Sequence, residues 1–388
     1  MAVVYFSEGL PFGIVKEFAP MYLRFAKVDL TSIGLLNIAG FAWTFKFLWS
    51  PLVDTYGTYR RWIGGAVLAI ALTLVAMAVM PQPGMPFYTL IVILALASAT
   101  QDIAVDAFTI QVTPSEMLGP VNSVRVAAYR VGMMAPAPLA VVAQFFGWRY
   151  AFAAAAAIAA AVLVFTMFLS DERGSAPAEN RNFIGALKHW LTRPNALLLL
   201  SIVLTYRLGE FAIVTMIKPY WVDRGYSPAE IGTITSGVGL GVSIASTIAA
   251  GFLVARIGLF RSLLILGVLQ CASNLGYALV ATTESGRWSI YAAAVVENIG
   301  YGAGVAAFVA FLMSICEKER AATEYALVTA SFAATGTVMA SVSGAIAQHI
   351  GYPLYFWLTV FLGIPSLFLL PLVRKDLDAA SNPRPSEG

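Results

Sequence analysis

The sequence predicts an all-α membrane protein of twelve transmembrane helices arranged as two six-helix bundles. Composition is the first reason: 59% of the 388 residues are hydrophobic and 12% are charged, against about 25% charged in an ordinary soluble chain. A water-soluble core cannot hide that much apolar surface. Length is the second: apolar stretches near the ~20 residues that cross the hydrocarbon as a helix recur twelve times. Landmarks shared in the same order by the first six and last six stretches are the third.

In order, the expected spans are 2–23, 31–53, 62–80, 87–111, 120–146 and 148–169, then 196–222, 228–255, 261–282, 288–315, 321–348 and 352–373. Met1 leads straight into apolar sequence with no basic region or small-residue cleavage site, so the first stretch reads as a retained span. The longest connection runs over 170–195 and holds Asp171-Glu-Arg-Gly-Ser-Ala-Pro-Ala-Glu-Asn180. Residues 1–169 are therefore expected as an N-terminal bundle, 170–195 as a cytoplasmic linker, 196–376 as a C-terminal bundle and 377–388 as a disordered cytoplasmic tail.

Basic residues set the orientation. With the N-terminus inside, the inner connections hold Arg60, Arg61, Arg173, Arg181, Lys188, Arg193, Arg256, Arg261, Lys318, Arg320, Arg374, Lys375 and Arg384, whereas the outer ones hold Arg24, Lys27, Arg149, Arg224 and Arg287. That asymmetry satisfies the positive-inside rule and places both termini in the cytoplasm.

The halves also match in the same chain direction. Leu30-Thr-Ser-Ile-Gly34 parallels Pro228-Ala-Glu-Ile-Gly232, Gly57 and Arg60 parallel Gly258 and Arg261, Gly132 parallels Gly336, and Gln144-Phe-Phe-Gly147 parallels Gln348-His-Ile-Gly351. The offsets of 198, 201, 204 and 204 describe a duplicated unit with small insertions.

Charge within the spans is where chemistry is expected, because a carboxylate or ammonium in the membrane costs roughly 2.5–3.5 kcal/mol and survives where it has work to do. The acids are Glu8, Glu17, Asp102, Asp106, Glu210 and Glu297, and the bases are Lys16, Lys46, Arg125, Arg130, Arg207 and Lys218. Asp102 and Asp106 lie four apart, hence on one helix face, where two ionised acids repel. At about 1.5 Å per residue, Glu8, Lys46, Asp102, Asp106, Arg125 and Arg130 reach a similar depth in the cytoplasmic half. Glu8, Asp102 and Asp106 are the candidates for carrying a proton, with Lys46 and Arg125 as their charge partners. In the second half Tyr206, Arg207, Glu210, Glu297, Asn298 and Tyr301 suit a polar ligand with ring or sugar faces, and Arg130 joins them as a candidate anion contact.

The connection Ser50-Pro-Leu-Val-Asp54-Thr-Tyr-Gly57-Thr-Tyr-Arg60-Arg61 reads as a gating turn: Gly57 permits the tight bend, and Asp54 is placed to pair with Arg60 or Arg61. It resembles the loop motif of the major facilitator superfamily at Leu52, Asp54 and Gly57, and departs from it in Ser50 and in the basic pair, shifted by one place. A degraded copy, Gly251-Phe-Leu-Val-Ala-Arg-Ile-Gly258, has Ala255 in place of the acid. Parallel repeats around a central substrate site are the pattern of this superfamily.

Within that superfamily, Tyr5-Phe-Ser-Glu-Gly-Leu-Pro-Phe12, Phe45-Lys-Phe-Leu-Trp-Ser-Pro-Leu-Val-Asp54, Ser98-Ala-Thr-Gln-Asp-Ile-Ala-Val-Asp-Ala107 and Ala128-Tyr-Arg-Val-Gly-Met133 are similar to the AmpG-type muropeptide permeases. Acetyl-coenzyme A transporters and bacterial siderophore importers are related to that group. The resemblance implies a monomeric, proton-coupled secondary transporter of the bacterial inner membrane that imports a bulky polar solute, muropeptide-like in the first instance. Many muropeptide permeases carry two further helices, which keeps siderophore and acyl-coenzyme A transport as alternatives.

Other classes lack their signatures. Gly237-Val-Gly239 follows no strand and is no nucleotide loop. Cys271 and Cys316 have no metal-ligand spacing, so neither metal nor cofactor is expected. A formal charge of +3 without basic runs argues against nucleic acid as a partner. Without a nucleophile motif, a receptor or enzyme built on this scaffold is the remaining alternative, and no enzymatic activity is expected.

Overall fold

The computed structural model describes residues 2–80, 82–113, 118–169, 192–193, 195–283, 285–316, 321–374 and 377, with the side chains at 54, 110, 118–123, 321–323 and 326 outside the described set. Most of the expected linker, and all but the first residue of the expected tail, lie outside the described residues. Among those described the structure is helical without strands, and nine helices are long and apolar enough to cross a membrane. One of these, Leu327–Val373, has 47 residues and is broken at Gly351, where φ is 76° and ψ 161°.

Two compact units result, Met1–Asn180 with Lys218–Gly237 and Arg181–Ile217 with Val238–Gly388. The division differs from the expected boundary at 170–195 by assigning 218–237 to the first unit. Ion pairs explain this: Lys218 pairs with Glu17, and Asp223 pairs with Arg24.

The first unit contains α1 (Ala2–Gly13), α2 (Ala19–Phe25), α3 (Leu30–Leu35), α4 (Phe41–Phe45), α5 (Ser50–Thr55), α6 (Tyr59–Val79), α7 (Met85–Val112), α8 (Leu118–Met133), α9 (Pro136–Phe146) and α10 (Trp148–Thr166). Pro11 has no N–H to give to α1, and the backbone widens into a π-turn over Ile14–Phe18. Gly9 and Gly132 let α1 and α8 meet backbone to backbone, since a Cβ on Gly9 would strike the Tyr129 carbonyl and one on Gly132 the Phe6 carbonyl. That contact fixes the height of Glu8 beside α7.

The second unit is built from α11 (Ala196–Thr205), most of α12 (Leu208–Asp223), α14 (Gly239–Ile257), α15 (Leu259–Thr283), α16 (Arg287–Ser314), α17 (Ala321–Leu362) and α18 (Ile364–Leu369), while the short α13 (Pro228–Ile231) belongs to the first. Its core gathers Tyr206, Leu263, Phe308, Phe311 and Val328. Hydroxyls throughout donate to carbonyls one turn back, as Thr73 to Ala69, Thr282 to Ala278 and Ser343 to Met339, each at 2.7 Å. Such bonds satisfy polar groups where lipid offers no partner. Large apolar side chains such as Leu72, Phe145, Phe252 and Phe368 point outward, as a lipid-facing surface requires.

Backbone specials recur in pairs. Lys27 and Gly225 have φ of 61° and 77°, Gly57 and Gly258 of 76° and 82°, and Gly147 and Gly351 of 95° and 76°. Two helix starts recur as well: Asp29 accepts the Ser32 N–H at 2.9 Å, and Ser227 forms a capping box with Glu230. Helices α7 and α16 are each 28 residues long and each follow an extended glycine, Gly84 and Gly286.

Candidate functional site

Eight of the twelve in-span charges fall into two clusters, one in each unit. In the first, α7 presents Asp102 and Asp106 one turn apart, and each takes a different base. Lys46 Nζ lies 3.4 Å from Asp102 Oδ2, and Arg125 Nη2 lies 3.1 Å from Asp106 Oδ1. Tyr5 completes the Asp106 side by donating to Thr109 Oγ1 at 2.9 Å and to Asp106 Oδ1 at 3.5 Å. The Arg125 guanidinium stacks 5.2 Å above the Tyr5 ring.

Glu8 is buried at 4% exposure, within electrostatic reach of Asp102, Asp106, Lys46 and Arg125. Glu8 Oε1 and Asp102 Oδ1 accept no hydrogen bond. Below them, Gln101 Nε2 donates to Ser7 Oγ at 2.5 Å and ties α7 to α1. Three acids thus face two bases, and the acid in excess can take up a proton and release it when a base approaches.

Arg130, expected at this level, is half-buried on α8 and makes no ion pair among the described residues. The separation of five along the helix sends it to a different face from Arg125.

The second cluster sits where α12, α15 and α16 meet. Arg207, Glu210 and Glu297 are 5%, 1% and 3% exposed. The Arg207 guanidinium lies 4.8 Å from the Tyr301 ring centroid, Glu210 lies within electrostatic reach of Arg207, and Asn298 Nδ2 donates to Glu297 Oε2 at 2.9 Å. Gly239 of α14 leaves room for the Asn298 amide, because a Cβ there would come within 2.8 Å of Nδ2. Tyr206 has gone elsewhere than expected. It is buried, donating to the Leu263 carbonyl at 2.8 Å and stacking on Phe308 with centroids 5.4 Å apart.

At the gating turn Gly57 takes the left-handed conformation. Arg60 Nη1 donates to the Leu169 carbonyl at 3.4 Å, and the Arg61 N–H donates to Thr58 Oγ1, the helix cap of α6. The Asp54 side chain lies outside the described residues.

Sequence reading gave no role to Glu17 and Lys218, which pair in the first unit with Ser236 Oγ also donating to Glu17 Oε2 at 3.1 Å. Nor did it foresee Arg24 gripping Asp223 through two bonds, at 2.6 and 2.5 Å. Their partners are 201 and 199 residues away, and only the equal number of in-span acids and bases hinted at pairing.

Comparison with known proteins decides what such a helical scaffold is. The Major Facilitator Superfamily profile matches residues 1–323 and 199–388. The chain belongs to the Major Facilitator Superfamily. This superfamily member is 30% identical to the anhydromuropeptide permease of Escherichia coli (strain K12), over 97% of this chain and 80% of that one. It is 25% identical to putative transporter AmpG 4 of Rickettsia conorii, over 94% and 93% of the two chains. Among solved structures, a bacterial homolog of the human lysosomal transporter Spinster, inward-facing and unoccupied, shares its fold with a TM-score of 0.77 at 13% identity, covering 99% of this chain and 97% of the other. It is an integral membrane protein of a transporter family, and its AmpG-type resemblance extends over nearly the whole sequence.

Proposed function

We propose that this protein is a proton-coupled secondary transporter of the bacterial inner membrane that imports a bulky polar solute of the muropeptide class. The observation that carries the reading is the near full-length likeness to the Escherichia coli anhydromuropeptide permease. The first cluster supplies the coupling chemistry: Glu8, Asp102 and Asp106 hold the proton, while Lys46 and Arg125 stabilise the ionised forms in its absence. Arg130, Arg207, Asn298 and Tyr301 contact the solute, with Glu210 and Glu297 as counter-charges. Asp54, Gly57, Arg60 and Arg61 form the cytoplasmic gate.

Twelve spans in two six-helix bundles, residues 1–169 and 196–376, accommodate the helices. The 47-residue stretch yields two crossings around Gly351. Residues 2–25 and 30–55 supply two more, interrupted by Glu8, Lys16 and Glu17 in one case and by 3-10 turns at Leu36–Gly40 and Lys46–Leu48 in the other. The paired left-handed residues, at the offsets of the sequence repeat, support a parallel duplication. We place both termini in the cytoplasm and take a monomer as the working unit.

Uptake of labelled anhydromuropeptide into right-side-out vesicles tests the reading. An imposed inward proton gradient should drive accumulation that a protonophore abolishes. Accumulation of a ferric siderophore or an acyl-coenzyme A instead replaces the substrate, and gradient-independent equilibration removes the coupling.

A further inference from the structure

We propose that Lys16 and the rings of Phe12, Trp43 and Tyr129 form a solute subsite in the first unit, where the Lys16 ammonium takes an anionic group of the solute, a carboxylate in the muropeptide class. The ammonium is short of partners. It has three donors to place, and among the described residues Lys16 Nζ meets a single acceptor, Asn37 Oδ1 at 3.2 Å. Asn37 is buried, and its Nδ2 donates to the Gly34 carbonyl at 3.2 Å, which leaves the amide oxygen turned to Lys16. A neutral oxygen does not compensate a charge held inside a membrane span.

The in-span carboxylates of this unit are engaged elsewhere. Glu17, the next residue, pairs with Lys218 and accepts from Ser236 Oγ. Asp102 and Asp106 pair with Lys46 and Arg125. Glu8 lies with that cluster, eight residues before Lys16 and thus about 12 Å away along a helix.

The surroundings of Lys16 are built for contact. Lys16 sits in the π-turn Ile14–Phe18, a departure from α-helix that recurs at functional sites. Phe12 precedes it by four residues, which places the two on one helix face. The Phe12 ring packs against Trp43 with centroids 5.2 Å apart and against Tyr129 with centroids 6.2 Å apart. Lys16 and all three rings are only partly buried, whereas rings that serve the core of this unit, such as Phe18 and Phe152, are closed off. Half-open aromatic faces with a charged donor about one turn beyond them suit a solute that carries both ring or sugar surface and an anion.

The subsite rests on the proposed function for the identity of its solute, and two measurements separate them. Purified full-length protein is treated with an amine-reactive ester, alone or with anhydromuropeptide or acyl-coenzyme A, and acylated lysines are mapped by mass spectrometry. Lys16 should react in the free protein and be protected by the solute, while the exposed Lys27 reacts equally throughout. In titration calorimetry, Lys16→Gln should lower the affinity for anhydromuropeptide about 10-fold or more, as expected for one lost charge-assisted hydrogen bond. Its affinity for the carboxamide analogue should stay that of the unsubstituted protein.

Protection by acyl-coenzyme A in place of the muropeptide keeps the subsite, with phosphate as its anion, and replaces the solute. Muropeptide binding that leaves Lys16 equally reactive keeps the solute and overturns the subsite. An affinity in Lys16→Gln that is unchanged, or lowered equally for acid and amide, does the same. A Lys16 that is inert in the free protein, or that neither solute protects, also overturns it, and this labelling of the unsubstituted protein decides alone if Lys16→Gln does not fold.

Discussion

Asp102 and Asp106 occupy one helix face but not one environment. The Asp102 side chain is 14% exposed and meets an ammonium, whereas that of Asp106 is 30% exposed and meets a guanidinium. Under the proposed coupling, Asp102, with one oxygen unbonded, is the expected proton carrier. Asp102→Asn should abolish gradient-driven accumulation while leaving solute exchange intact, because exchange needs no net protonation cycle. Accumulation at the normal level in both Asp102→Asn and Asp106→Asn vesicles counts against this role.

Tyr206 makes a different case, its hydroxyl being tied into the core of the second unit. Tyr206→Phe removes a buried donor and leaves the Leu263 carbonyl without it. A loss of about 1–3 kcal/mol in stability is expected, with half-saturation for solute unchanged, read by thermal unfolding in detergent and by uptake kinetics. From the sequence, the spacing of Asp102 and Asp106 was legible because four residues on a helix define a face. Tyr206 was not, since a tyrosine on a cavity wall and one in a helix core have the same local sequence.

At the scale of elements, close helix contact depends on single glycines. Gly132 sits against the Phe6 carbonyl and the Gly9 Cα, so Gly132→Val should force α1 away from α8, costing about 1–3 kcal/mol or more and displacing Glu8. Gly65, inside α6 with nothing near its Cβ position, provides the control: Gly65→Ala should be neutral or stabilise by up to ~1 kcal/mol through helix propensity. Comparable melting temperatures for the two variants would argue against a backbone contact at Gly132.

The segment 218–237 depends on charge instead. Arg24 also donates to the Val28 carbonyl at 2.9 Å, which orients its guanidinium for the bidentate grip on Asp223. Side-chain exposures of 22% and 28% limit the pair to about 1 kcal/mol by solvent screening. A double-mutant cycle of Arg24→Ala and Asp223→Ala, followed by thermal unfolding, should return a coupling of that size that shrinks with added salt. Pairings of this sort join residues some 200 apart and leave no mark in any local pattern.

For the whole molecule, the proposed duplication rests on four ordered sequence matches and on left-handed residues that recur at the same offsets. Glycine was recognisable at 57, 258, 147 and 351, where the chain needs a left-handed turn. At the first pair the repeat keeps the conformation but not the residue: Lys27 stands where the second half has Gly225. The linker and tail carried only compositional signals, and the irregular helices at 2–25 and 30–55 hid their interruptions because π- and 3-10 turns are set by tertiary contacts rather than by periodicity.

A parallel duplication of six spans has a consequence that separates it from an inverted one. In the proposed duplication the connections before α7 and α16 are equivalent, each leading through an extended glycine into a 28-residue helix. An even number of crossings between them puts both on the same side of the membrane, whereas an odd number puts them on opposite sides. In the proposed topology that side is the exterior and the 170–195 connection faces the cytoplasm. In a background with Cys271 and Cys316 replaced by serine, Pro83→Cys and Ser285→Cys should both react with an impermeant maleimide in intact cells. Ser175→Cys should react only after the membrane is opened. Opposite accessibility of Pro83→Cys and Ser285→Cys would require an inverted repeat or a miscounted span, and external labelling of Ser175→Cys would reverse the orientation and with it the cytoplasmic assignment of Arg60 and Arg61.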